Sequence, residues 1–170
     1  MNRQGFHMGI RIAEVDADLE IVGSLLIQLR PSYDLRTIIS QIKAQQKRGY
    51  TVAYIKDDGQ AICAAGFVIE TRLAWGKHMY IEDLITDEHR RSSGLGKVML
   101  DWLKSYAQKN DCEQIHLDSS VQNFSAHRFY LREGFNIASH HFSIVNGNKA
   151  NLYKPTRSKK LDHLAPRHDY

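Results

Sequence analysis

Apolar and polar residues alternate along several short runs of this chain, and apolar residues recur at helical spacing along four longer ones. Alternation predicts strands and a stripe at helical spacing predicts an amphipathic helix. The predicted strands span residues 10–15, 51–55, 61–71, 77–86, 114–121, 135–145 and 149–153. The predicted helices run from a cap at Asp16 to Pro31, from Leu35 towards Gly49, from Leu95 to Asn110 and from Ser125 to Glu133.

These elements follow one another in the order β-α-α-β-β-β-α-β-α-β-β, which indicates a mixed sheet with helices on both faces. The triplet Asp57-Asp58-Gly59 predicts a tight hairpin turn between the second and third strands. No internal repeat is present, so we expect a single domain over residues 1–155. Residues 156–170 then form a basic C-terminal tail.

Composition excludes several classes of protein. The chain has 42% hydrophobic and 25% charged residues, which is ordinary for a globular domain. It has no apolar run of about 18 residues and no signal-peptide pattern, so no membrane association is expected. The two cysteines lack metal-site spacing, which favours a reducing cytoplasm and no bound metal. Much of the net charge of +4 lies in the tail, and no basic stripe with interleaved aromatic residues indicates nucleic-acid binding.

The turn at residues 90–97, Arg-Arg-Ser-Ser-Gly-Leu-Gly-Lys, lies between a predicted strand and a predicted helix. Unpaired N–H groups and the helix dipole make such a turn an anion site. A P-loop is excluded because Arg91 replaces its first Gly and Val98 replaces its Ser/Thr. A dinucleotide loop is excluded because Met99 replaces its third Gly.

The turn fits a third pattern, Arg/Gln-x-x-Gly-x-Gly, through Arg91, Gly94 and Gly96. This pattern resembles the acetyl-CoA pyrophosphate loop of the GNAT superfamily of N-acetyltransferases. Residues 123–135 also resemble the family's Asn-x-x-Ala-x-x-x-Tyr-x-x-x-Gly-Phe segment. The resemblance covers about residues 10–155 and implies the GNAT fold, a seven-stranded, mostly antiparallel α/β sheet with a splayed centre and four helices.

The resemblance implies acetyl-CoA as co-substrate and assigns its binding residues. Backbone groups at the end of the central strand would pair with the pantetheine arm, although the side chains of Leu84 and Ile85 also fit plain core packing. Asn123 would bind the same arm or simply cap the fourth helix. The implied cofactor-binding residues are Leu84, Ile85, Thr86, Arg91, Ser92, Ser93, Gly94, Leu95, Gly96, Lys97 and Asn123.

Two residues are candidates for proton transfer. Glu82 is the candidate base, since a Glu inside an apolar strand is unusual; the alternative is a Glu paired with a neighbouring cation. Alternation places Glu82 on the same side as Leu84, subject to any bulge, and Asp83 on the other. Residues 75–83 are also similar to the matching stretch of spermidine/spermine N-acetyltransferases. Tyr130 matches the family Tyr that protonates the departing thiolate, the alternative being an aromatic core residue.

The resulting hypothesis is direct transfer from acetyl-CoA to a primary amine within a ternary complex. A non-catalytic acyl-CoA-binding sensor is the alternative. The acceptor would be a small molecule or a peptide amine. The carboxylates of Glu82, Asp83, Asp34 and Glu70 would suit a cationic acceptor such as a polyamine, a lysine side chain or an aminoglycoside. The family resemblance also allows a homodimer.

Overall fold

The sheet is built from hairpins joined at one side to a parallel strand. The computed structural model describes residues 9–144; these elements belong to the compact unit that ends at Ile137, and a second unit begins at Ala138. The strands are β1 (Ile10–Ile12), β2 (Thr51–Asp57), β3 (Gln60–Arg72), β4 (Gly76–Thr86) and β5 (Gln114–Leu117). Their spatial order is β1-β2-β3-β4-β5, antiparallel except for the parallel β4–β5 pair.

Four α-helices cover the two faces of this sheet: α1 (Asp16–Leu29), α2 (Leu35–Gln46), α3 (Leu95–Lys109) and α4 (Phe124–Arg132). A short 3-10 helix (Glu88–Arg90) precedes α3. The mixed α/β class, the element order through α4 and helices on both faces are confirmed. None of these helices is long and apolar enough to cross a bilayer, a finding that covers residues 9–144.

Each face of the sheet has its own hydrophobic core. On the α1–α2 face, helical residues such as Leu19, Val22 and Ile38 pack against alternate strand residues. On the α3 face, Leu95, Met99 and Leu103 pack against the intervening strand residues, including Phe67 and Met79. Because successive strand side chains point to opposite faces, both cores come from the same three strands. Burial on both sides explains why β3 is largely apolar.

The ends of several elements differ from the predictions. The N-cap of α1 is Val15, and Asp18 reaches back to the Glu14 N–H at 3.2 Å. Strand β5 ends at Leu117 rather than Val121. The strand predicted at 135–145 was wrong over residues 135–144, which have no regular secondary structure. Alternation alone does not form a strand without a neighbour to pair with. Residue 145 and the strand predicted at 149–153 lie outside the described residues.

The predicted hairpin turn is confirmed. Asp57 pairs with Gln60, and the two residues between them have positive φ, 44° at Asp58 and 79° at Gly59. A two-residue turn with φ above zero at both positions matches the twist of the flanking strands. The hairpin is also tied to the Gly-rich turn before α3, because Asp57 forms an ion pair of 2.8 Å with Arg90.

Candidate active site

The centre of the sheet opens where β4 and β5 part. The two strands are paired only from His78–Gln114 to Ile81–Leu117, while β4 continues to Thr86 along β3. Within residues 9–144, no strand pairs with the other edge of β4 beyond Ile81. An edge with free N–H and C=O groups can pair with an extended ligand as though it were another strand. The splayed centre predicted from the sequence is confirmed.

The N-terminus of α3 lies at the far end of this opening. A β-carbon placed on Gly96 would lie 3.7 Å from the Thr86 hydroxyl oxygen, so the first turn of α3 adjoins the end of β4. The N-cap is Gly94, with φ 85° and no side chain to cap the first N–H groups. Ser92 also has positive φ, 61°, and Ser93 Oγ donates to the Arg90 carbonyl at 2.5 Å. Uncapped N–H groups at a helix start favour an anion.

Some side chains around the start of α3 already have partners within the protein, and others can contact a ligand. The Lys97 ammonium is 2.9 Å from Asp101 and 3.3 Å from Glu133, so its charge is matched by the protein itself. Leu95 is buried in the α3-face core. The exposed Arg91 guanidinium has no ion-pair partner among residues 9–144. Arg91 is therefore the cation of the turn that is available to a ligand, and Lys97 and Leu95 offer their backbone N–H groups.

A bulge in β4 changes the direction of the candidate base. Gly66 pairs with Asp83 and Phe67 with Ile81, so Glu82 is an extra residue without a partner on β3. A bulge breaks the alternation of faces. Consequently the side chains of Glu82 and Asp83 both contact the α1–α2 side, while Leu84 packs with the α3-face core. The expectation that Glu82 shares a side with Leu84 and opposes Asp83 held only without a bulge; the bulge is present, and the structure does not have that arrangement.

The two neighbouring carboxylates have different surroundings. Asp83 lies 2.7 Å from Arg30 Nη2 and accepts a 2.7 Å hydrogen bond from the Tyr50 hydroxyl. Glu82 accepts a single side-chain hydrogen bond, from Gln45 at 3.1 Å. Partial burial, followed by the negative charge of Asp83, raises the pKa of Glu82 above its usual range. Asp83 thus has a structural role, and Glu82 is the carboxylate with an elevated proton affinity.

The second candidate, Tyr130, lies on α4. Its ring contacts Phe129 and Phe135, with centroid distances of 5.4 and 5.8 Å. Burial raises the pKa of its phenol, which therefore stays protonated at neutral pH. Its hydroxyl has no hydrogen-bond partner within the described part of the chain. Phe129 adjoins the first turn of α3, because a β-carbon on Gly96 would be 3.5 Å from its ring.

Asn123 caps α4, as one of its two interpretations predicted. Its Oδ1 accepts the Ala126 N–H at 3.4 Å and the Ser125 hydroxyl at 3.1 Å. The cap uses only the oxygen of the amide, so the Nδ2 donor stays available to a ligand. Capping and ligand binding are therefore compatible roles for this side chain.

Sequence comparison identifies the family to which these features belong. Residues 16–135 match the model described as the Acetyltransferase (GNAT) family, which is well over half of the chain. The chain belongs to the GNAT family. The chain is also 31% identical over 120 residues to an uncharacterized N-acetyltransferase of Bacillus subtilis, YhdJ; the match covers 69% of this chain and 84% of that protein. The protein is thus an enzyme of the N-acetyltransferase class.

Two further matches are to proteins named as acetyltransferases. An aminoalkylphosphonate N-acetyltransferase of Salmonella typhimurium is 33% identical over 55 residues, covering 32% of this chain and 36% of that enzyme. The solved structure of an aminoglycoside N-acetyltransferase, AAC(6')-Iy, in complex with CoA superposes with a TM-score of 0.73 at 18% identity. That superposition covers 86% of this chain and 99% of the other, and it shows the shared fold.

Near the opening lie Tyr80, Asp118 and His116, which the sequence did not single out as site residues. The Tyr80 hydroxyl donates to Asp118 at 2.5 Å, where β4 and β5 begin to part. Trp75 stacks on His116 with ring centroids 4.0 Å apart. Alternation along β4 could have placed Tyr80 near Glu82, but only the parallel pairing of the strands brings Asp118 beside them. Among the described residues, no group of three or more His, Cys, Asp or Glu side chains is arranged to hold a metal ion.

Proposed function

We propose that this GNAT protein transfers the acetyl group of acetyl-CoA to a primary amine, by direct attack within a ternary complex. The observation that carries the proposal is the opening between β4 and β5, which ends at the uncapped N-terminus of α3. An extended thioester arm can pair along the free edge of β4 while its pyrophosphate binds the helix start. Glu82 lies on the α1–α2 side of β4, so we assign the approach of the amine to that side.

The donor is held mainly by backbone groups. We assign the pantetheine arm to the backbone of Leu84, Ile85 and Thr86, since the first two side chains pack in the two cores. The free Nδ2 of Asn123 supplies a further donor. Positive φ at Ser92 and Gly94 turns the chain so that successive N–H groups can face one anion. The pyrophosphate site consists of Arg91, Ser92, Ser93, Gly94, Leu95, Gly96 and Lys97.

Proton transfer is assigned to Glu82 and Tyr130. A primary amine with a pKa near 10 is mostly protonated at neutral pH, so a base must take its proton. Glu82 accepts that proton, directly or through a water. The amine nitrogen then bonds to the thioester carbonyl carbon, the carbon–sulfur bond breaks, and the Tyr130 phenol donates its proton to the leaving sulfur. Glu82 lies on the α1–α2 side, and Phe129, the neighbour of Tyr130, adjoins the first turn of α3, which supports assigning the two groups to this opening.

The acceptor that we propose is a small amine. Two of the similar proteins are N-acetyltransferases of aminoalkylphosphonates and aminoglycosides, both of which are small amines. Arg30 is paired with Asp83 beside the reacting position, and the remaining carboxylates there, Glu82, Glu70 and Asp118, outnumber the cation Arg72. Asp34, in contrast, caps α2 by accepting the Thr37 N–H at 2.8 Å. This balance of charge favours a positively charged acceptor.

The proposal is tested by measuring acetyl-CoA binding by calorimetry and thiol release with a panel of amines. Binding together with amine-dependent release of coenzyme A supports the transferase. Binding without release for every amine would favour the alternative, an acyl-CoA-binding sensor. The opening and the uncapped helix start fit both functions, whereas Glu82, a partly buried carboxylate beside the opening whose pKa is raised by that burial, favours the transferase.

A further inference from the structure

One cation of the chain lies in a small cage on the same side of β4 as Glu82. The Arg72 guanidinium is centred 5.2 Å from the Trp75 ring and 5.7 Å from the Tyr80 ring. Its Nη2 is 2.6 Å from Glu70 Oε1. Two aromatic faces and a carboxylate are the groups that bind ammonium and guanidinium ions in proteins. The Arg72 side chain is nevertheless 48% exposed, so it lies at the mouth of the cage.

Buried against this cage is a histidine with an unsatisfied nitrogen. His78 is fully buried; its Nδ1 is 3.1 Å from the Gly76 carbonyl, to which it donates. Its Nε2 has no hydrogen-bond partner and is 3.5 Å from Glu70 Oε1. The same Glu70 oxygen is 2.6 Å from the Arg72 guanidinium, so its closer contact is with the cation in the cage.

The charges around the cage also favour a cation over an anion. An anionic group approaching Arg72 would meet the Glu70 carboxylate within hydrogen-bonding distance of the same guanidinium. Tyr80 donates to Asp118; burial, followed by this hydrogen bond and the negative charges of Asp118 and Glu82, raises the pKa of its phenol. The cage is thus bordered by three carboxylates and contains one cation.

We propose that this cage binds a second cationic group of the acceptor, and that Arg72 occupies it while the site is free. The inference rests on the proposed function, because the first amine must react beside Glu82. Tyr80 precedes Glu82 by two residues, a distance of about 7 Å along a strand. The acceptor class is therefore an amine that carries a second ammonium or guanidinium group a short aliphatic chain away, as in linear diamines and triamines.

The test compares linear diamines of increasing length with monoamines of the same chain length. We expect the wild type to have a KM at least about tenfold lower for the best diamine than for its monoamine, the range of one desolvated cation–π and ion-pair site. Trp75→Leu and Glu70→Gln should each raise the diamine KM by about tenfold, with kcat changed less than about twofold. Their effect on the monoamine KM should be clearly smaller, because a monoamine places no second cation in the cage.

Arg72→Gln tests whether Arg72 fills the cage in the free protein or instead helps to bind the acceptor. Removing the internal cation should lower the diamine KM by about threefold or more, since the diamine no longer displaces it. Arg36→Gln, an exposed arginine on α2, serves as the matched control and should leave both constants unchanged. A diamine KM that rises in Arg72→Gln overturns the proposal, as does equal KM for diamine and monoamine in the wild type.

Failure of this inference can be distinguished from failure of the proposed function. If monoamines and diamines are acetylated equally well, the transferase stands and the cage proposal is overturned. If the wild type acetylates no amine, the proposed function fails, and calorimetry with the best-fitting diamine on the coenzyme A complex tests the cage directly. Weaker diamine binding in Trp75→Leu and Glu70→Gln then supports the cage, and unchanged binding overturns it.

Discussion

Two neighbouring carboxylates in β4, Glu82 and Asp83, show how surroundings assign different roles to similar residues. Asp83 is held by Arg30 and Tyr50, while Glu82 accepts a single side-chain hydrogen bond from Gln45. Removing the ion pair and the hydrogen bond of Asp83 would leave a largely buried carboxylate without partners, which would lower the free energy of unfolding. Glu82 can gain and lose a proton with less effect on folding. At the residue scale, the hydrogen-bond partners thus distinguish the structural acid from the candidate base.

Glu82→Gln should lower kcat/KM for a primary amine by at least about tenfold near neutral pH. The difference in kcat/KM between the variant and the wild type should shrink as the pH rises towards the pKa of the amine, because more of the amine is then already deprotonated. In the wild type, kcat/KM should decline as the pH falls through the pKa of Glu82, which lies above its usual range because of burial and Asp83. The pH–rate profiles of both forms are the measurement.

Glu14→Gln, an exposed glutamate ahead of α1, is the control for Glu82→Gln and should match the wild type. Identical pH–rate profiles for Glu82→Gln and the wild type would exclude Glu82 as the base.

Tyr130→Phe should lower kcat by about tenfold or more, because the departing thiolate loses its proton donor. Calorimetry should give nearly unchanged acetyl-CoA affinity, since the ring and its packing against Phe129 and Phe135 are kept. Tyr106→Phe removes a hydroxyl from a packed aromatic residue of α3 and should leave kcat unchanged. Equal turnover for Tyr130→Phe and the wild type would remove Tyr130 from the mechanism.

At the scale of elements, the site depends on where regular structure ends. Strand pairing stops after Ile81 and Leu117, the bulge interrupts β4 at Glu82, and α3 begins at a glycine without a capping side chain. Each of these interruptions leaves backbone groups that the fold itself does not use. The donor site therefore consists chiefly of backbone groups rather than of side chains, and substitutions that alter the backbone should affect it most.

Gly94→Ala tests the helix start. Its φ of 85° disfavours alanine although a β-carbon there would meet nothing within 4 Å, so we expect a loss of about 1–2 kcal/mol in the free energy of unfolding. Acetyl-CoA affinity should also fall, because the first N–H groups of α3 shift. Urea denaturation and calorimetry measure the two effects.

Gly59→Ala is a close control for Gly94→Ala, with φ of 79° and equally open space in the β2–β3 turn. It should lose similar stability and keep its acetyl-CoA affinity. Equal affinities in the two variants would show that the α3 turn does not bind the donor.

Across the whole molecule, the packing of the α1–α2 layer on the sheet fixes the position of the bulge. Tyr50, just before β2, lies across Gly66 of β3 and donates to Asp83 of β4. Arg30, at the end of α1, reaches the same carboxylate and donates to the Glu82 carbonyl at 3.3 Å. The start of β2, the middle of β3, the bulge of β4 and the end of α1 thus meet at Asp83. These contacts hold the backbone of Glu82 in place, while its side chain accepts a hydrogen bond from Gln45.

Gly66→Ala should disturb this meeting point. An added β-carbon would lie 1.7 Å from the Tyr50 hydroxyl oxygen, and the buried ring cannot move without losing Asp83. Overpacking of this kind typically costs about 1–3 kcal/mol in the free energy of unfolding. Urea denaturation measures the loss.

Gly23→Ala provides the comparison for Gly66→Ala, since its β-carbon would be 3.1 Å or more from side-chain atoms that can shift. Its effect on stability should be smaller. A Gly66→Ala protein as stable as the wild type would show that the Tyr50–Asp83 contact is not rigid.

Much of the fold could be predicted from the sequence because its signals are local. Alternating and helical periodicities set the elements through α4, and Asp58-Gly59 set the hairpin turn. The glycines of the turn before α3 predicted the anion site. The strand predicted from Phe135 failed over its described part, since the alternation in a sequence does not say whether a partner strand is present.

The sequence by itself determined the class of fold, the order of elements through α4 and the resemblance to the GNAT family, since periodicity and motif spacing are properties of the chain. Only the tertiary structure decided that the side chains of Glu82 and Asp83 point to the same face of the sheet. It also decided that Lys97 forms ion pairs with Asp101 and Glu133, and that the Arg72 guanidinium contacts the rings of Trp75 and Tyr80. Side-chain direction and ion pairing depend on register and on neighbours distant in sequence, which no local pattern contains.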